Sequence, residues 1–476
     1  MIPIISLEKM SSGLGYCEII ELYFYQKKGE YSSMRIQLSD HFTFSKLLRF
    51  SVPSICMMVV TSIYGVVDGI FVSNIVGSDA FASVNLIYPV LMILGSLGFM
   101  VGTGGSALVS KTLGQGKPER ANAYFSMLIF FTIIMGVLLA ILGFVFIRPI
   151  SQLLGAEGEI LEGCVVYGRV LLVSLTAFML QNAFATFVVV EGKPRMGLIV
   201  SISAGVCNLV GDFLLIYVFR LGLFGAAVAT AVSEFAGGLI PLCYFVFSKR
   251  SNLKLRKTRL EFKPILKACT NGSSEMLSNI SMSLVNILYN FQLMKMIGAD
   301  GVVAYGIIMY LSFVFVSSFL GYSIGTAPIV GFHYGAMHPD ELNNLLKKSV
   351  FIIGVAGVSM AALAHALSGV LAGIFVSYDA ELMALTKHAI GIYSLSYLFS
   401  GFAIYASNFF TALNNGLISA VISFLRTLVF EVIMVMTLPL FFGIDGIWSA
   451  VVIADIFAVF VAAVLLWVNR KKYGYL

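Results

Sequence analysis

Long apolar runs broken by short polar or glycine-containing loops set the rhythm of this chain. Residues 80–110, 121–147, 170–190 and 301–332 contain no Asp, Glu, Lys or Arg. Crossing the roughly 30 Å hydrocarbon core of a bilayer takes about 20 mainly apolar residues in a helix, so each of these runs is long enough. Reading all such runs against turn and charge signals predicts about twelve spans. They lie near 47–70, 82–108, 121–147, 165–190, 197–219, 224–247, 265–294, 302–330, 347–376, 389–411, 418–441 and 447–468. The stretch 389–425 exceeds one helix, and Asn414-Asn415-Gly416 is its natural break. One position interrupts the pattern. Asp68, in "SIYGVVDGIFVSN", closes an 18-residue run, 50–67, that holds no other charge.

Composition changes this picture from apolar helices to an apolar solvent. Apolar residues make up 59% of the chain and charged ones 11%. A soluble domain carries about a quarter charged residues, so this chain lacks the surface to stay dissolved. The fold class predicted is an all-α membrane protein. The six cysteines show no Cys-x-x-Cys spacing, and most sit in apolar runs where a thiol is a small hydrophobe. Residues 1–33 have no long apolar core and no cleavage pattern of a signal peptide. They are expected either to form a disordered extension or to precede a translation start at Met34. A basic amphipathic segment, "RIQLSDHFTFSKLLRF", follows and leads into the first span.

Charge then orients the spans. With the N-terminus inside, the lead-in, the even-numbered loops and the tail hold twenty-one Lys and Arg, against four (Arg148, Arg220, Lys295, Lys387) in the odd-numbered loops. The positive-inside bias therefore puts both termini in the cytoplasm. It also accounts for the net charge of +6 without any nucleic-acid partner. The basic stretch "KRSNLKLRKTRLEFK" at 249–263 reads as a cytoplasmic linker that touches anionic headgroups at most.

The chain also repeats itself. "GSALVSKTLGQGKPERA" after the second span and "TAPIVGFHYGAMHPDEL" after the eighth align Gly114 with Gly335, Pro118 with Pro339 and Glu119 with Asp340. The same offset places Gly222 over Gly443, Gly225 over Gly446 and Glu234 over Asp455. Two six-span halves follow: a first lobe at 47–247 and a second at 265–468. Residues 1–46 form the extension and lead-in, 248–264 the basic linker and 469–476 the tail. An even number of spans per copy keeps both copies in one orientation, a transporter plan in which the substrate binds between the halves.

Ionisable residues inside the spans are Asp68, Arg169, Asp212, Glu234, Glu275, Arg426, Glu431 and Asp455. An aspartate at a helix centre costs about 2.5–3.5 kcal/mol on insertion scales, so each needs a partner, water or a task. "CNLVGD" stacks Asn208 and Asp212 on one helix face, and Thr230 adds a hydroxyl on the next span. Asp68, Asn208, Asp212 and Thr230 thus offer oxygens and an amide, suited to a proton or a hard monovalent cation such as sodium. The bland alternative is that they only hydrogen-bond helices together. Glu275, with Ser278 and Asn279 one turn on, is a second candidate, or else an interfacial carboxylate. Arg426 and Glu431 lie five apart, out of register for a pair on one α-helix. Glu431 is either a second protonation site or a structural partner for an arginine. Glu234 and Asp455 are expected to do equivalent structural work, and Arg169 to snorkel to the interface. The abundant Met and aromatic residues suit bulky, flat cations.

Taken together, "PSICMMVVTSIYGVVDGIFVSNIVG", "GQGKPERA", "NLVGDFLLIY", "GLFGAAVAT" and "SFLRTLVFEVIMVMTLPLFFGIDGIWSAVVIAD" resemble, in order, the multidrug and toxic compound extrusion (MATE) transporters. The resemblance runs from about residue 45 through nearly the whole chain. It implies two pseudo-symmetric six-helix lobes around a central cavity. It further implies export of cationic or amphipathic small molecules across the plasma membrane, the inner membrane in a bacterium, driven by proton or sodium entry. Asp68, Asn208, Asp212 and Thr230 match the family's first-lobe cation site. Glu275 matches an acid that some members pair with another in the tenth span, where "IYSLSYLFSGFAIYASNFF" has none. A monomer without cofactor beyond the coupling ion is expected, and no enzyme. No His-Glu-x-x-His occurs, and His333, His338, His365 and His388 sit in loops or alone. The rival reading, a flippase for lipid-linked precursors, needs cations for pyrophosphate, and only Arg169 and Arg426 lie within spans.

Overall fold

With no water in hydrocarbon to satisfy backbone N–H and C=O groups, a spanning chain bonds its own backbone, and helices follow. The computed structural model describes residues 36–248, 251–377 and 379–475. The expectation for residues 1–33 lies outside them. The long helices are α1 (Phe44–Phe71), α2 (Ser78–Gly114), α3 (Pro118–Leu153), α4 (Gly158–Val190), α5 (Pro194–Asp212) and α6 (Gly222–Phe247). The second set comprises α7 (Phe262–Met296), α8 (Ala299–Gly335), α9 (Pro339–Ala366), α10 (Ala380–Ala412, with one 3₁₀ turn), α11 (Gly416–Phe442) and α12 (Ile444–Tyr473). Among the described residues, eleven helices are long and apolar enough to cross a membrane. The long helix left out is α7, whose "TNGSSEMLSNIS" is too polar to qualify by composition. It lies against α2 and α11, and Asn271, Ser274 and Ser281 of that stretch are buried.

Local signals place the boundaries. Proline at the first helical position opens α3, α5 and α9, where its missing N–H costs nothing. Asn414 adopts φ +58 and Asn415 caps α11 by accepting from Ile418 N, so the chain turns at the Asn-Asn-Gly break. The ninth span is shorter than its apolar run. It ends at Ala366, and residues to 376 form a separate helix, Ser368–Val376, because the chain turns at Leu367. Three π-helical turns interrupt regular geometry: Val72–Val76 after α1, Phe213–Val218 after α5, and Leu425–Phe430 inside α11.

The two halves meet through glycines related by the repeat. A Cβ on Gly114 of α2 would lie 2.0 Å from Phe332 O of α8, and one on Gly335 would lie 2.0 Å from Lys111 O of α2. Deeper in, Gly104 and Gly272 bring α2 and α7 together, with built Cβ positions 1.9 Å from Ala268 O and Met100 O. Gly321 and Gly325 do the same for α8 against Ile55 and Ser51 of α1. Small residues let helix backbones approach where lipid supplies no hydrophobic drive.

The segments leading into α1 and α7 cross between halves at the basic face. Before α1, Phe42 N donates to Glu341 Oε1 of α9 (2.9 Å), while Asn344 and Lys348 donate to Phe42 O. Before α7, Asn252 N and Leu253 N donate to the buried Glu191 carboxylate at the end of α4. Lys254 N then donates to Asn122 Oδ1, and Arg256 N to Ser126 Oγ, both on α3. The basic linker is a strap tied down by backbone bonds rather than a loose tether.

Gly272→Val should destabilise the purified protein by about 1–3 kcal/mol through overpacking, seen as a lower melting temperature. Gly65→Ala, with nothing within 4 Å of its Cβ, serves as the near-neutral control. Glu191→Ala removes charge-assisted bonds worth about 1.5–3 kcal/mol each. Trypsin should then cut at Lys254–Lys257 at least about tenfold faster, and an unchanged rate would mean the strap does not depend on Glu191.

Candidate cation-coupling site

Asp68 reaches the middle of the first half because α1 carries it one turn before the π-helical turn Val72–Val76. Asn208 and Asp212 occupy one face of α5, with Asp212 the last residue before the second π turn. The two π turns pack on each other through Val72 and Ile216. The Asp68 carboxyl lies within interaction range of Asn208 and Asp212, and Asn208 Nδ2 lies 3.5 Å from Thr230 Oγ1 on α6. The structure therefore brings together all four residues singled out in the first half. Asn208 and Asp212 are buried, Asp212 fully.

The electrostatics of this group are unfinished. Asp68 Oδ1 and both oxygens of Asp212 are buried with no hydrogen-bond donor. Two carboxylates side by side out of water cannot both ionise cheaply, so the pair has room for a proton or a cation. Glu234 of α6, read from sequence as purely structural, also belongs here. Its Oε2 accepts from Ser174 Oγ of α4 at 2.6 Å, and it lies within electrostatic reach of Asp68. Tyr64, Tyr88 and Tyr167, from α1, α2 and α4, lie within electrostatic reach of Asp68 and Glu234. The sequence marked none of these tyrosines, since nothing in their spacing separates them from the many aromatic residues that face lipid. Among the described residues, no three His, Cys, Asp or Glu side chains come together as a metal-binding group. A metal ion at Asp68 would need the amide and hydroxyl oxygens of Asn208 and Thr230.

The second half is built differently. Asn408 of α10 donates its amide to Glu275 Oε1 at 3.4 Å, so an amide meets this acid where a second acid was sought in the sequence. Asn279 and Ser278 bond backward to the carbonyls of Glu275 and Ser274, each serving its own helix. Arg426 Nε donates to Asp455 Oδ1 at 2.8 Å, and not to Glu431. Glu234 and Asp455, equivalent in the repeat, thus make different bonds: one to a serine, the other to an arginine. Arg169 is exposed and lies over the Phe144 ring at 5.0 Å, as a snorkelling residue does.

Comparison with known proteins agrees with this architecture. A family model described as MatE matches residues 53–214 and 276–437, more than half of the chain and once in each half. The chain is similar to the multidrug export protein MepA of Staphylococcus saprophyticus, with 23% identity over 453 residues, 95% of this chain and 97% of that one. MepA of Staphylococcus aureus strain MSSA476 is 24% identical over 434 residues, 90% of this chain and 94% of that one. A solved outward-facing multidrug resistance MATE family transporter of the MOP superfamily superimposes with a TM-score of 0.86 at 24% identity, covering 92% of this chain and 98% of that one. This likeness shows the fold: two lobes of six helices.

The Arg426–Asp455 pair gives a prediction about stability. Arg426→Met leaves Asp455 as a buried uncompensated charge and should cost about 3–5 kcal/mol. Adding Asp455→Leu should recover most of that loss in thermal unfolding. A double variant no more stable than the single one would show that the pair is not the source.

Proposed function

The chain belongs to the MatE family of efflux transporters, and from that premise we propose that it is a secondary antiporter. In this reading it exports cationic or amphipathic small molecules in exchange for protons or sodium. The observation that carries this is the set of buried, donorless carboxylate oxygens at Asp68 and Asp212, beside Asn208 and Thr230. An intramembrane acid without a partner is functional by default, because its desolvation is otherwise uncompensated. Loading this site with a proton or sodium removes repulsion between α1 and α5. Both helices pass into π-helical turns directly above it, a geometry with weakened bonding that often marks functional positions. A change of charge there repacks the outer ends of α1 and α5 and weakens the hold on a cationic substrate. The names of the relatives, multidrug export proteins, support a broad small-molecule cargo.

The charge bias supports a plasma-membrane orientation with both termini, and both straps, on the cytoplasmic side. A flippase for pyrophosphate-linked lipids gains no support. Arg426 is committed to Asp455, and Arg169 lies exposed over Phe144, which leaves the arginines within the spans no shared anion site.

Substrate-induced collapse of a pH gradient in inside-out vesicles tests the proposal, with and without sodium and with a cationic dye as cargo. Proton movement that needs the dye, survives without sodium and is lost in Asp68→Asn is the expected result for proton coupling. A response seen only with sodium makes the same residues a sodium site. If Asp68→Asn matches the wild type under both conditions, the first-half site is not the coupling site.

A further inference from the structure

The second half holds three charged groups that the first-half site does not explain. Arg426, Glu431 and Asp455 lie well inside α11 and α12, away from either helix end. Arg426 and Asp455 are joined Nε to Oδ1, their side chains 18% and 3% exposed. The other oxygen, Asp455 Oδ2, is buried and has no donor. Glu431 is within electrostatic reach of both partners, and among the described residues no donor is hydrogen-bonded to it. One cation is thus bonded to one carboxylate and lies within electrostatic reach of a second. With both ionised, the cluster carries a net negative charge where hydrocarbon surrounds the helices.

The backbone explains how the three meet. In a regular α-helix, residues five apart point about 140° away from each other. Here the turn between Arg426 and Glu431 is π-helical, Leu425–Phe430, and its i→i+5 bonding swings them toward one face. Phenols from three helices also lie near Glu431. Tyr289 of α7, Tyr305 of α8 and Tyr393 of α10 all lie within reach of its charge. Tyr305 is committed, since its Oη donates to Asn286 Oδ1 at 2.8 Å, and Tyr289, stacked on it at 4.6 Å, has a buried Oη without a partner.

We propose that Glu431 is a proton-binding site of the second half, neutral while Arg426 is held by Asp455, and that losing its proton draws Arg426 away from Asp455 toward Glu431. A proton fits better than a metal ion or an organic cation. It needs a single oxygen, whereas either larger cation would sit against the fixed positive charge of Arg426 in a medium that screens poorly. The π turn supplies the movement, because converting it to α geometry shifts the register of Arg426 against α12 while leaving Glu431–Phe442 helical. The role of this site in driving export rests on the antiport reading above, but its detection does not.

Infrared spectra of the full-length protein in lipid bilayers, stepped through pH, report protonated carboxyl groups directly by their C=O stretch. Glu431→Gln is near-isosteric and copies the neutral state, and the amide band of the same spectra checks its helical fold. The wild type should show a titrating carboxyl component that is absent from Glu431→Gln and still present in Asp68→Asn. Asp455→Asn should lose that component too, because Arg426 then has only Glu431 to neutralise it. A Glu431→Gln spectrum that keeps every wild-type component overturns the proposal, as does a component that persists in Asp455→Asn. If the component behaves as expected but no pH gradient drives export, the antiport reading fails and this site stands.

Discussion

An ionised carboxylate in hydrocarbon must be matched by something, and that constraint organises this protein. The second half matches Asp455 with Arg426 through a bond of 2.8 Å. Among the described residues of the first half, no Lys or Arg pairs with Asp68, Asp212 or Glu234. Asp68 and Asp212 face each other with unpartnered oxygens, and Glu234 is stabilised by a serine hydroxyl instead. Two copies of one repeat thus treat the same physical problem differently: a resident guanidinium beside the acid in one, and a pair of carboxyls with unpartnered oxygens in the other.

The charge sites can influence the rest of the molecule because the packing around them is unforgiving. Helices α2 and α7, α2 and α8, and α1 and α8 touch backbone to backbone through glycines that leave no space for a methyl group. Interfaces this close respond to a push by sliding as units rather than by deforming, because packed interiors compress little. The straps before α1 and α7 add a second tie, each running from one half onto the other at the basic face. The three π turns lie beside the intramembrane charged residues, directly after α1 and α5 and inside α11, so irregular backbone adjoins these groups.

The spans, the repeat and the partners of the buried acids were legible in the sequence to different degrees. Apolar run length and loop charge set the spans and their count, since both are properties of consecutive residues and a bilayer of fixed thickness. Where a run passed through a break without a strong turn residue, as at Leu367, the boundary was misplaced. Composition also cannot recognise α7 as a span on the same terms as the others, because it carries a polar stretch that packs in part against α2 and α11. The repeat showed that Glu234 and Asp455 are equivalent in position, but equivalence in register does not fix partners. Asn408, Ser174 and the three tyrosines around Asp68 carry no signature in a chain rich in such residues.

By itself, then, the sequence determined the solvent, the helices, the two-fold repeat and the short list of intramembrane acids, because each depends on local composition or on spacing along the chain. Only the tertiary structure decided which acids meet. It joined Asp68 to Asp212 across α1 and α5, gave Asn408 to Glu275, and assigned Arg426 to Asp455 rather than to Glu431 five residues away. Pairings of this kind depend on how helices far apart in sequence rotate and bend against one another. Here that rotation is set by glycine contacts and π turns whose effect no linear pattern records.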